Sequence, residues 1–294
     1  MKMDKKKFMI YMICAFAIAW VLQIAASYFA LKGSILVFQV LLSVSMFAPF
    51  AATLIAKVPL RKMGWVPKFK SNILYMIAAW FGPAVLTALG AVLYYVVFPD
   101  RFDVTGAYLA ATYGEELVEQ LTAAGLTVPL YAVVAIIQSV TYAPVFNGLI
   151  ALGEEVGWRG VMYPMLRDKL GKTKGRILGG VIWGAWHWPV MILAGYEYGL
   201  SYWGAPFVGM ALFCLCTVSM GILLDMVYEK TNCIWVPAVM HGAFNAAATI
   251  PVVFLNPEYT DQMIVGPAPN GILSMIPMFL VVGLLLVKKN KVAD

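Results

Sequence analysis

The residues best equipped for chemistry in this 294-residue chain lie between positions 147 and 245. Glu154 and Glu155 are adjacent carboxylates, and Arg159 follows Glu155 by four residues. On a helix Glu155 and Arg159 share a face in the favourable order, acid before base. Glu154 then points about 100° away, lacks that partner and is free for proton chemistry. The chain has two histidines. His187 stands in Trp183-Gly-Ala-Trp-His-Trp-Pro189, and His241 precedes Asn245 by four residues, so that imidazole and amide project from one face. A carboxylate with an imidazole can activate a water molecule, and an imidazole with an amide can stabilise an oxyanion. Each group also has a plain structural role. The glutamates and Arg159 would make a cap and salt bridge at a helix end, His187 an interhelical hydrogen bond, and His241 with Asn245 a polar clasp. Two unrelated clasps would not need to gather both histidines near both glutamates, so the sequence points to one catalytic site.

The elements that carry these groups follow from composition. Apolar residues make up 62% of the chain and charged residues 12%, with a net charge of +6. A soluble globule of this size could not cover its surface with so few polar groups. An ordinary cytosolic enzyme, a disordered chain and a nucleic-acid binder are thereby excluded, and a polytopic membrane protein is left. A bilayer core of ~30 Å requires about 20 apolar residues per helix. Eight such spans are expected, at about 8–31, 34–56, 72–98, 129–153, 177–194, 205–228, 233–254 and 271–287. Spanning segments must satisfy their own backbone hydrogen bonds, and the runs lack the alternation of a barrel, so the fold class is all-α. The first span follows Met-Lys-Met-Asp-Lys-Lys-Lys and is too long for a signal peptide, so it reads as a retained anchor.

With eight spans, one side receives Lys2, Lys5, Lys6 and Lys7, the loops 57–70 and 159–176, Lys230, and Lys288, Lys289 and Lys291. Of the 21 basic residues, only Lys32 and Arg101 fall opposite. Positive loops stay in the cytoplasm, which places both termini there, at the cell membrane. The same loops could hold anionic lipid head groups, but topology alone accounts for them. The outer loop, about 99–128, reads as a solvated connector in which Leu117 and Leu121 could support a short surface helix. Three regions are expected: 1–128 with spans 1 to 3 and the outer loop, 129–255 as the catalytic core, and 256–294 with the last span and a basic tail. Cys14, Cys214, Cys216 and Cys233 lie in or beside apolar stretches and form no disulfide framework. On this layout Glu154 and Glu155 sit at the inner membrane edge and His187 near mid-depth. Gly180 and Gly184 allow a neighbouring backbone close to its helix, and Pro189 kinks that helix just after His187.

Three motifs in this order, Glu-Glu-x-x-x-Arg at 154–159, aromatic-x-x-x-His at 183–187 and His-x-x-x-Asn at 241–245, resemble the CPBP family. These are the CAAX-protease and bacteriocin-processing membrane proteins, also called the Abi or Rce1-like family. The resemblance covers about 129–255; Trp183 stands where the family usually has Phe. It implies an intramembrane endopeptidase of the CAAX-prenyl-protease or peptide-maturation kind. Its partners would be the lipid bilayer and a membrane-associated or prenylated protein or peptide. The alternative is a non-catalytic scaffold or immunity protein that binds a partner in the same cavity.

Carried over residue by residue, the resemblance makes Glu154 the general base. His187 helps to hold the water, and His241 with Asn245 stabilises the oxyanion. Glu155, Arg159 and Trp183 support them, with Glu155 and Arg159 holding the helix end and orienting Glu154. No cofactor is favoured. Zinc on Glu154, His187 and His241 is the competing mechanism, although no His-Glu-x-x-His helix is present. Cys214, Cys216 and Ser219 lie far in sequence from any histidine and read as packing. Asp225 reads as an interfacial charge, and Asn147, two turns before Glu154, as a candidate orienting group or an interhelical hydrogen bond.

Overall fold

The computed structural model describes residues 4–290, with no side-chain description beyond 287; Lys2 and Lys291 therefore lie outside the described residues. Fourteen α-helices are described in chain order: α1 (Lys5–Leu31), α2 (Ile35–Ser45), α3 (Ala48–Ile55), α4 (Phe69–Val97), α5 (Ala107–Tyr113), α6 (Glu115–Ala123), α7 (Val128–Val140), α8 (Ala143–Gly157), α9 (Tyr163–Leu170), α10 (Lys172–Trp186), α11 (Trp188–Ala194), α12 (Phe207–Thr231), α13 (Trp235–Ala248) and α14 (Ile276–Asn290). No strand is present among the described residues, only an isolated bridge between Phe102 and Leu255. The all-α expectation is borne out, and the chain is a multi-pass membrane protein.

The way α1 packs shows why. Its buried face carries Tyr11, Ala15, Ala19, Gln23 and Ala26, whereas Met9, Ile13, Val21 and Leu31 point outward. Small residues face neighbouring helices and large apolar ones face out, the pattern expected where the surroundings are lipid. Asp4 caps the helix, accepting from the Lys6 N–H at 3.1 Å.

Among the described residues, six helical segments are long and apolar enough to cross a membrane: 5–31, 35–55, 69–97, 172–194, 207–231 and 235–254. They coincide with six of the eight expected spans. The last expected span is a shorter helix that starts at Ile276 rather than at 271, its apolar part ending at Val287. The expected span at 129–153 is not one helix. It breaks between α7 and α8, where Thr141 has φ −109° and ψ −92°. Pro144 lies just beyond and cannot donate to the preceding turn. The Thr141 hydroxyl takes over the freed carbonyl of Ile137 at 2.7 Å.

Beyond that break, α8 does not end at the glutamates. It runs through a π-helical turn, Trp158–Met162, directly into α9. Glu154 and Glu155 thus lie inside a long helical segment, not at a helix end, which corrects the expected cap. Pro164, without an N–H, follows the π turn and favours the wider register there.

The expected kink at Pro189 is present: α10 ends and α11 begins on either side of His187. The Trp186 carbonyl at this break accepts from Trp20 Nε1 at 3.2 Å and Gln23 Nε2 at 3.0 Å of α1. The short surface helix expected near Leu117 is α6, mostly exposed, meeting α7 at 87°.

One charge cluster and one arginine set on aromatic rings tie neighbouring segments together. Arg176 Nε donates to Asp225 Oδ2 at 2.6 Å, and its Nη2 to Glu229 Oε2 at 2.7 Å. Arg167 and Lys172 also pair with Glu229. Asp225 is fully buried in this network, which corrects its reading as an interfacial charge. Arg167, Lys172 and Arg176, read as topological charge, also tie α9, α10 and α12 together. At Arg101 the guanidinium lies 3.8 Å from the Phe98 ring centroid and 4.9 Å from that of Tyr259, clasping the two connecting segments.

Candidate active site

The close approach of α8 and α13 sets the geometry. A Cβ added at Gly242 would lie 2.3 Å from the Gly148 backbone nitrogen and 2.5 Å from the Pro144 carbonyl oxygen. With no side chain there, the two backbones touch, and His241 beside Gly242 is brought against Glu155. Nδ1 of His241 lies 2.9 Å from Glu155 Oε1, which also accepts from Arg159 Nη1 at 2.9 Å. Paired with Arg159, the Glu155 carboxylate acts as an acceptor, so Nδ1 of His241 carries the proton. The expected Glu155–Arg159 pair is present, with both side chains fully buried. The Arg159 guanidinium also lies 4.6 Å from the Tyr163 ring centroid and 4.7 Å from that of Trp183.

Glu154 is not left free. Its Oε2 accepts from Trp158 Nε1 at 2.9 Å and from Trp183 Nε1 at 2.7 Å. Two indole donors on one oxygen fix the carboxylate plane without a counter-ion. Trp183, expected as a supporting residue, makes this contact through its indole N–H, which the aromatic-x-x-x-His motif alone did not specify. A phenylalanine at this position could not make that bond.

His187 sits at the break between α10 and α11. Its Nδ1 lies 3.0 Å from the Trp183 carbonyl oxygen. A carbonyl only accepts, so Nδ1 carries the proton and Nε2 keeps its lone pair. Trp183 stands between the imidazoles, with ring centroids 6.5 Å from His187 and 5.2 Å from His241. Close packing of α10 on α12 supports this arrangement: a Cβ on Gly180 would lie 2.3 Å from Val218 Cα. The small-residue face expected on this helix thus contacts α12.

Glu154, His187, His241 and Asn245 line one cavity of about 540 Å³, a volume suited to a few residues of an extended peptide. Asn245 is exposed to it. Asn147 does not line it, although Gly148 beside it contacts α13. Cys216 reaches the wall, whereas Cys214 packs against α10. Gln23 of α1, Gln39 of α2, and Tyr196, Glu197 and Asn270 from the connecting loops also line the cavity. None of these five was singled out from sequence. Gln23 carried a signal as a lone amide in an apolar span, whereas nothing distinguished Glu197 and Asn270 from ordinary connectors. Among the described residues, no three His, Cys, Asp or Glu side chains converge as a metal site. The Nδ1 bonds of His187 and His241 leave Nε2 free on each ring, and the indoles occupy Glu154 Oε2 and leave Oε1 free, so all three groups keep a donor atom beside the cavity.

The fold and site together define a helical membrane protein with a carboxylate, two imidazoles and an amide around one internal cavity. Residues 136–247 match the family model described as type II CAAX prenyl endopeptidase Rce1-like. The match carries all three motifs and lies within the expected core at 129–255, so the resemblance seen in the motifs is borne out for this segment. The chain is also 30% identical over 102 residues to CAAX prenyl protease 2 of Methanococcus maripaludis. That similarity covers 33% of this chain and 36% of the relative's length.

Proposed function

We propose that the protein is an intramembrane endopeptidase that hydrolyses a peptide bond with a water activated by Glu154. The observation that carries this reading is the Glu154 carboxylate, held by two indoles on Oε2 and facing the same cavity as both histidines and Asn245. The other carboxylate oxygen receives the water's proton as the hydroxide adds to the scissile carbonyl. His187 Nε2, its lone pair left available by the Nδ1 bond to Trp183, orients that water. The oxyanion is met by the Asn245 amide and by the His241 imidazole, which its Nδ1 bond to Glu155 holds in place. Glu154 then passes its proton to the leaving amine as the C–N bond breaks. The water's hydroxyl ends on the new carboxyl group and its other proton on the new amine.

No step requires a metal, and we place metal-independent hydrolysis ahead of zinc chemistry because, among the described residues, no three His, Cys, Asp or Glu side chains converge as a metal site. We also place the approach to the cavity on the cytoplasmic side, with both termini cytoplasmic, on the distribution of the basic residues. The substrate class is a membrane-associated protein or peptide, with prenylated proteins suggested by the name of the Methanococcus relative. The test is terminal proteomics on membranes holding wild-type or Glu154→Gln protein at equal abundance. Peptide termini present with the wild type and absent with the variant support the reading. Identical termini in both would leave the scaffold or immunity role.

A further inference from the structure

The cavity has a second carboxylate that the proposed mechanism does not use. Glu197 lies in the five-residue turn 195–199, closed by the Gly199 N–H on the Gly195 carbonyl at 2.7 Å. Glu197 itself has φ +74°, a left-handed conformation that a non-glycine side chain rarely adopts. Such strain persists where the surroundings hold it, and it clusters at ligand sites. The surroundings here are specific. Asn270 Nδ2 donates to Glu197 Oε2 at 2.7 Å, and Asn270 is fixed in turn by the Tyr198 hydroxyl on its carbonyl at 2.8 Å. Tyr196, the preceding residue, stacks parallel to His187 with centroids 6.4 Å apart, so the turn borders the candidate catalytic histidine.

Charge balance is missing at this point. Glu155, Asp225 and Glu229 each pair with an arginine, but among the described residues no cation lies within ion-pair distance of Glu197. Among the described residues, no lysine or arginine lines the cavity. A half-buried carboxylate without a counter-charge is costly, and an incoming cation would lower that cost.

We propose that Glu197, held in place by Asn270, is a cation subsite that takes an ammonium or guanidinium group carried by the peptide to be cleaved. This rests on the reading of the cavity as a peptide-hydrolysis site, and it adds a preference that hydrolysis alone does not require. The subsite reads one group of the substrate while the reacting carbonyl sits at Glu154. A hydrogen bond between opposite charges is stronger than a neutral one, and truncating it costs about tenfold in affinity or more.

The test measures binding rather than turnover. Full-length Glu154→Gln protein in lipid nanodiscs is titrated with fluorescent four-residue peptides, acetylated and amidated, that carry lysine or norleucine at each position in turn. The expected result is at least tenfold tighter binding for lysine at one position. That preference is lost on adding Glu197→Gln and kept with Glu197→Asp. A matching set with a free amino terminus and no lysine separates an α-ammonium source from a side chain. Equal affinities for lysine and norleucine at every position, with no gain from a free amino terminus, would overturn the subsite. So would a lysine preference that survives Glu197→Gln. Thermal unfolding of each variant, matched to its parent, shows that the comparison is made on folded protein. The parent reading fails by a different observation, namely peptide cleavage that persists in the Glu154→Gln protein.

Discussion

The two adjacent glutamates divide their work by what each touches. Glu154 receives two indole N–H groups and no cation, whereas Glu155 receives Arg159 and His241. Glu155→Gln therefore removes the charge that holds His241 and leaves the Arg159 guanidinium buried without a counter-ion. We expect a loss of about 3–5 kcal/mol of stability, the usual cost of breaking a buried pair from one side. The double variant Glu155→Gln/Arg159→Met should be more stable than Glu155→Gln alone, as read by unfolding in detergent. Asn245→Ala should leave stability nearly unchanged, because the amide faces the cavity, and should lower turnover about 10²–10³-fold as an oxyanion donor is lost. Glu197 gives a pH signature. Burial pushes its carboxyl above the ordinary carboxylate range, and its titratable neighbours are Tyr196, Tyr198 and Cys216. A folded-state value above the unfolded one means that the folded protein holds the extra proton. This contribution is fully present below the unfolded value and is lost as pH rises through the raised folded value. Glu197→Gln should flatten that part of the stability profile, measured as midpoint against pH.

At the scale of elements, the site depends on interruptions as much as on helices. The break at His187 frees the Trp186 carbonyl for α1, and the π turn after Gly157 lets α8 continue past the glutamates. Pro189 was legible as a kink because a missing N–H has one consequence in a helix. The π turn was not, because its cause is a register shift that periodicity does not register. The pairing of Glu155 with Arg159 was readable from spacing alone, since i and i+4 meet on any helix. The pairing of Glu155 with His241, and the two indoles on Glu154, depended on which helices touch. That contact is made by Gly148 and Gly242, whose small size showed in sequence but whose partners did not. Gly242→Ala should force α8 and α13 apart, with a destabilisation of about 1–3 kcal/mol and a loss of turnover beyond what the stability change explains. Unfolding and activity measured on the same preparation separate the two effects.

Across the whole molecule, scarcity of polar groups is what made the candidate site readable. Where the surroundings are lipid, each carboxylate, imidazole or amide inside the bundle needs a reason, and most of those reasons lie in one cavity or in the Arg176–Asp225–Glu229 network. The basic residues of 167–176 were assigned to topology, and their pairing with Asp225 and Glu229 adds to that reading a contact across three helices that leaves no local trace in the sequence. The central claim is that Glu154 performs water-mediated hydrolysis without a metal. It is tested most directly by single-turnover cleavage of a substrate peptide in nanodiscs, in buffer stripped of metals and containing a chelator. The account predicts cleavage by the wild type at a rate unchanged by added zinc, and a fall of about 10²–10⁴ with folded Glu154→Gln protein. Full turnover by Glu154→Gln, or activity that disappears with the chelator and returns with zinc, would contradict it.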